Sequence, residues 1–187
     1  MDIKTFPGTN IEVNLAKKGA AKRIIDPMFL TGGLMLSQVS GVTGLEPHMI
    51  QNWVKRGFLT APVNKKYSKN QFCRILIINF LRDSLQIDKI TGLIGYINGK
   101  LSEDSDDIID DSDLYYYFVD IISKIGFDIE RVELIINEKL YDYTEKHRGD
   151  KERLINVLKA MTIFYMSAQM KSLAEVMLMN NFEEVVR

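Results

Sequence analysis

The chain has 187 residues, 24 Lys+Arg against 25 Asp+Glu, one Cys, four Pro and 46% apolar content, the balance of an ordinary soluble globular protein. One thiol excludes an internal disulfide framework, and two distant His cannot complete a Cys/His zinc cage, so the reducing cytoplasm is the expected compartment. No uninterrupted apolar run, 75–78 included, is long enough for a membrane span, and the amino terminus lacks a basic-then-apolar signal pattern.

Residues 1–30 show no sustained period, and Asp26-Pro27 and Gly32-Gly33 break any helix nearby, so this stretch is expected to be an arm lying over something else. Leu34, Leu36, Val39 and Val42 make a short helical stripe interrupted by Gly44. Pro47 then opens a second helix, over about 47–56, with Met49, Ile50, Trp53 and Val54 facing inward and Gly57 ending it. The turn-rich run 58–67, with Pro62 and Asn64 available for a tight connection, predicts a small β-hairpin. Ser68 and Gln71 are spaced as a capping box. The helix they start carries Phe72, Ile75, Leu76, Ile77, Ile78, Phe80 and Leu81 around most of its circumference and is therefore expected to be an enclosed central strut, with Cys73 buried beside Phe72. A further helix spans about 86–97 and stops at Asn98-Gly99.

The segment 102–113 holds seven acids in twelve residues and is expected to be a linker. Three helical patterns follow: 114–125, then 129 to about 147 behind Asp128, then 151 to about 179 behind Asp150. The expected fold is mainly α: an arm at 1–30, a winged helix-turn-helix at 31–100, an acidic linker at 101–111 and an all-α bundle at 112–187.

Charge follows the same division. Residues 1–100 hold 14 Lys+Arg and 6 Asp+Glu, whereas residues 101–187 hold 10 and 19. A basic head can attract a polyanion, and an acidic tail can limit indiscriminate binding; mutual attraction of the two halves is the plainer consequence. Helix, turn, helix and hairpin with excess positive charge is a layout that reads DNA, the helix in the major groove and the hairpin against phosphates. The outward positions of the groove helix are His48, Gln51, Asn52 and Lys55, followed by Arg56; Gln and Asn suit adenine, and Lys suits guanine or phosphate. The hairpin offers Asn64, Lys65, Lys66 and Tyr67. Trp53 is read as core.

The run Leu36-Ser-Gln-Val-Ser-Gly-Val-Thr-Gly-Leu-Glu-Pro-His-Met-Ile-Gln-Asn-Trp-Val-Lys-Arg-Gly-Phe-Leu59 resembles the head of MerR-type regulators, and Lys65-Lys66-Tyr67-Ser68 resembles that family's wing and the start of its next helix. Where such heads usually carry an Arg and an acidic residue in the groove helix, this chain has Gln51 and Val54. The segment 49–55 together with 65–68 is also similar to a bacterial domain of unknown function that joins such a head to a helical tail. The resemblance implies double-stranded DNA as partner, a homodimer, and a tail that reads an effector or a protein. No P-loop, dinucleotide fingerprint or nucleophile elbow is present, and 104–113 lacks the Gly and closing Glu of a calcium loop, so neither an enzyme nor a cofactor or metal site is expected. The alternative is a protein-interaction module that keeps the winged fold without DNA contact.

Overall fold

In the computed structural model, which describes residues 4–13, 19–99, 101, 107–126 and 128–181, the chain opens with an antiparallel ladder of Lys4–Thr5 (β1) and Glu12–Val13 (β2). A helix follows, Ala20–Met28 (α1). The arm expected at 1–30 is thus partly regular, and Pro27 lies inside the last turn of α1 instead of preventing it. At that place Pro27 withholds the N–H that would reach the carbonyl four residues back, and the preceding Asp26 is fastened from outside: Lys69 Nζ and Tyr116 Oη both donate to its Oδ1, at 3.0 and 2.8 Å. Partial burial pushes the Asp26 carboxyl up, but those two bonds and the charges of Lys69 and Lys22 outweigh it and hold the group below its usual range.

A two-residue strand, Leu34–Met35 (β3), leads into Leu36–Thr43 (α2), which stops at Gly44 in the left-handed region, its N–H bonded to Ser40 O at 2.9 Å. Glu46 is extended and Pro47 occupies the first turn of Pro47–Lys55 (α3), where its missing donor would be unsatisfied anyway. The expected hairpin within 58–67 is reduced to a single antiparallel bridge, Val63 with Lys66, and the longer pairing is made elsewhere. Lys66–Tyr67 (β4) is antiparallel to β3, and the return is a two-residue turn at Asn64 and Lys65, both at positive φ, closed by Lys66 N–H to Val63 O at 2.9 Å.

The capping box at Ser68 and Gln71 is present in full: Gln71 N–H donates to Ser68 Oγ at 3.2 Å, and Ser68 N–H donates to Gln71 Oε1 at 2.8 Å. The helix it opens, Lys69–Leu81 (α4), buries nine of its thirteen residues, including the unbroken run 72–78. Ile87–Asn98 (α5) and Asp111–Ile125 (α6) follow. The helix expected to run from 129 to about 147 is shorter: a 3-10 turn, Ile129–Arg131, then Val132–Lys139 (α7), then turns. The last helix, Asp150–Asn181 (α8), has 32 residues.

The molecule is mainly helical, with eight α-helices among the described residues. Buried side chains from Phe6 to Met166 form one cluster, and α4 lies at its centre against α2, α5, α6 and α8. Phe80 of α4 stacks on Phe118 of α6 with centroids 4.4 Å apart, and Tyr115 Oη donates to Pro7 O at 2.7 Å. The acidic segment between the halves ends indoors: Ile108 and Ile109 are buried, and Asp111 pairs with Arg74 of α4. Residues 102–106, which carry much of that segment's charge, lie outside the described residues.

Candidate nucleic-acid interface

Amphipathic spacing sets the orientation of α3. Ile50 and Trp53 are buried, Met49 and Val54 are half-buried, and His48, Gln51, Asn52 and Lys55 are all exposed on the opposite face. Gly57, left-handed at φ 76°, ends the helix with its N–H on Val54 O, while Phe58 N–H reaches Trp53 O at 2.9 Å.

The chain returns to α3 through the turn at 63–66. Gln71 Nε2 anchors its approach by donating to Thr60 O, Thr60 Oγ1 and Ala61 O at 2.8–3.0 Å. Lys65 and Gln51 thereby line one cavity of about 560 Å³, with Met35, Leu36, Val54 and Pro62 in its wall. Lys55, Lys65 and Lys66 are exposed, and among the described residues none has a carboxylate within ion-pair distance. Lys66 Nζ donates to Thr31 O at 3.2 Å, a bond that leaves its charge uncompensated.

Two residues of the expected set stand apart. Tyr67 is 2% exposed, and burial pushes its phenol above the usual value; its ring belongs to the core and cannot reach phosphates. Strand alternation is the reason, since Lys66 and Tyr67 point to opposite faces of β4. Arg56 turns toward α5, with Nη2 3.7 Å from Asp88 Oδ2 and its guanidinium 4.4 Å above the Phe58 ring. Both groups of that pair are well exposed, so it is a weak tether.

Sequence reasoning missed the apolar character of this side. Met35 and Val63 are exposed beside the turn. The signal was the β-tolerant dipeptide Leu34-Met35, whose alternate residues must face in and out once it pairs with β4. Among the tail aromatics, Tyr115 and Phe118 are core, Tyr141 is exposed, and Phe127 lies outside the described residues. A second cavity, of about 500 Å³, opens where the β1–β2 loop meets α4, α6 and α8, with Asn79, Arg82 and Tyr165 in its wall.

Residues 33–118 match the model of a domain of unknown function, DUF1836. No curated protein and no solved structure matches the chain. The matched span runs from the start of β3 past the acidic segment into the middle of α6, so it contains the α4–α6 contact and the Arg74–Asp111 pair. Among the described residues no three His, Cys, Asp or Glu side chains converge as metal ligands, and no helix is long and apolar enough to cross a membrane.

Proposed function

We propose that the chain is a DNA-binding transcriptional regulator whose head is a MerR-like winged helix-turn-helix. In this reading α2 and α3 are the helix-turn-helix, and the 63–66 turn on the β3–β4 ladder is a short wing. The observation that supports it is the set of exposed cations, Lys55, Lys65 and Lys66, uncompensated by ion pairs and adjoining the exposed amides Gln51 and Asn52. Lysines fix the protein on phosphates, and the amides with His48 give limited readout of base edges. Two copies of the head would read two half-sites, with the tail supplying self-association and reception of an effector or protein. One buried thiol fits a reducing, cytoplasmic setting.

The test is fluorescence anisotropy on random duplex at two salt concentrations. Three phosphate contacts per copy give a log–log slope of about −2.7, so raising salt from about 50 to about 200 mM weakens binding about 40-fold per copy. Lys65→Glu with Lys66→Glu should weaken binding to all sequences alike and flatten the slope by about 2, whereas Gln51→Ala should change preference among sites. Equal binding by the double variant and the parent refutes the clamp. The exposed Met35 and Val63 beside the apolar cavity favour a second reading, an interaction module that docks a peptide on the same side; its binding would survive nuclease treatment and show little salt dependence.

A further inference from the structure

The cavity beside α3 has a chemistry that duplex alone does not use. About 560 Å³ lies between α3, the start of α2 and the 63–66 turn, a size typical of small-molecule sites. Met35, Leu36, Val54 and Pro62 make its walls apolar, whereas phosphates and base edges call for polar ones.

Its charge has one sign. Among the described residues lining it, Lys65 is the one cation, Gln51 is the one amide, and there is no Asp or Glu. Both side chains are exposed, and Lys65 has no carboxylate within ion-pair distance among the described residues. The turn also fixes where Lys65 stands. It is the second residue of that turn, at φ 61°, a left-handed position that glycine fills without strain and lysine does not. A strained residue at the rim of a cavity points to a use for its side chain.

We propose that this cavity binds a small amphipathic carboxylate, its head on Lys65 and Gln51 and its apolar body against Met35, Leu36, Val54 and Pro62. A singly charged carboxylate matches one ammonium and one amide donor, and the walls remove the apolar body from water. A phosphate dianion matches less well, because it favours more than one cation. A peptide strand matches less well too: Met35 N–H, the donor an added strand would take at the β3 edge, is already given to Gln38 Oε1 at 2.8 Å. Lys65 and Gln51 are also the groups offered to duplex in the functional reading above, so ligand and DNA exclude each other. That exclusion rests on the DNA reading; the ligand site does not.

The experiment is calorimetry of the full chain with octanoate as probe and octylammonium, of the same length and opposite charge, as its counterpart. Octanoate should bind with a Kd of about 0.1–1 mM, and octylammonium should not bind. Lys65→Gly eases the turn and keeps the fold, yet it should weaken octanoate at least about tenfold. Met35→Glu puts a like charge on a half-exposed rim residue and should do the same. Lys89→Gln removes an exposed cation of α5 outside the cavity wall and should bind octanoate as the parent does. A parent that ignores octanoate, equal binding by Lys65→Gly, or equal affinity for octylammonium each overturns the site. So does an acidic amphipathic peptide that binds at Lys65 where octanoate does not, because it gives the cavity to a protein. Anisotropy on random duplex, at equal ionic strength made up with acetate, tests the exclusion: octanoate at about ten times its Kd should weaken duplex binding about tenfold. Duplex unmoved by bound octanoate overturns the exclusion. Octanoate bound by a chain that binds no duplex removes the regulator alone, and duplex bound by a chain that ignores octanoate removes the ligand site alone.

Discussion

Arg74→Met should be strongly destabilising. Arg74 of α4 is 7% exposed and Asp111 at the start of α6 is 9% exposed. Nε donates to Oδ2 at 2.7 Å, and Asn98 Nδ2 donates to Oδ1 at 3.2 Å. Burial pushes the Asp111 carboxyl above its ordinary value, while the Arg74 charge and the hydrogen bonds from Arg74 and Asn98 oppose the shift. Removing the guanidinium leaves a buried carboxylate with one neutral donor, at a cost of about 3–5 kcal/mol. For a chain of this size that lowers Tm by about 6–20 °C. The deficit has a sign in pH. Without Arg74 the folded-state pKa rises further above the unfolded value of about 3.9, so stability is retained below that value and lost as pH rises through the folded one. The deficit is therefore largest at neutral pH and shrinks toward about pH 4. Arg74→Met with Asp111→Leu removes both charges and should recover stability, falling short of the parent by about 1–3 kcal/mol because the buried Asn98 Nδ2 loses its acceptor. Urea denaturation of the four proteins between about pH 4 and 8 measures all of this. A pH-independent deficit, or a double variant as unstable as the single, refutes the description of a buried, mutually dependent pair.

Ser68→Ala removes the acceptor for Gln71 N–H at the start of α4 and should cost about 1 kcal/mol, read as a Tm drop of about 2–4 °C. Gly8→Ala should cost more, about 2–4 kcal/mol, because the residue sits at φ +75° and an added Cβ would lie 2.5 Å from the Leu76 carbonyl oxygen; urea titration that finds it neutral would show that the β1–β2 loop does not press on α4.

Ser68 and Gln71 announce α4 because their bonds span three residues, and the exposed face of α3 follows from its helical period alone. The features that sequence reasoning misjudged are decided by partners far along the chain. Pro27 is tolerated in α1 because Asp26 is held by Lys69 and Tyr116, 43 and 90 residues away. The 58–67 hairpin shrinks to the Val63–Lys66 bridge, and residues 66–67 pair chiefly with residues 34–35, a choice that turns on which face of each short strand is buried. The same inward alternation takes Tyr67 out of the candidate interface. An acidic run has the composition of a solvated linker, and nothing local marks Asp111 as the residue that finds a buried arginine.

Those long-range contacts determine how a division at 101–111 would behave. Helix α3 rests on α2, and α2 rests on α4, while the far side of α4 is covered by α6 and α8. Asn79 of α4 ties this arrangement further by donating to Gly8 O at 2.9 Å and Thr43 O at 3.2 Å. A fragment of residues 31–100 would uncover Phe80, which stacks on Phe118, and Phe72, which packs on Phe29 of the arm. Exposing about four such side chains costs about 6–12 kcal/mol, comparable with the whole stability of a typical domain. The fragment should therefore unfold without a cooperative transition and bind a hydrophobic dye, and it should lack any salt-dependent affinity for duplex that the full chain has. A fragment that melts cooperatively would mean that α4 is held by the head alone, and that the core shared with α6 contributes little to the position of α3.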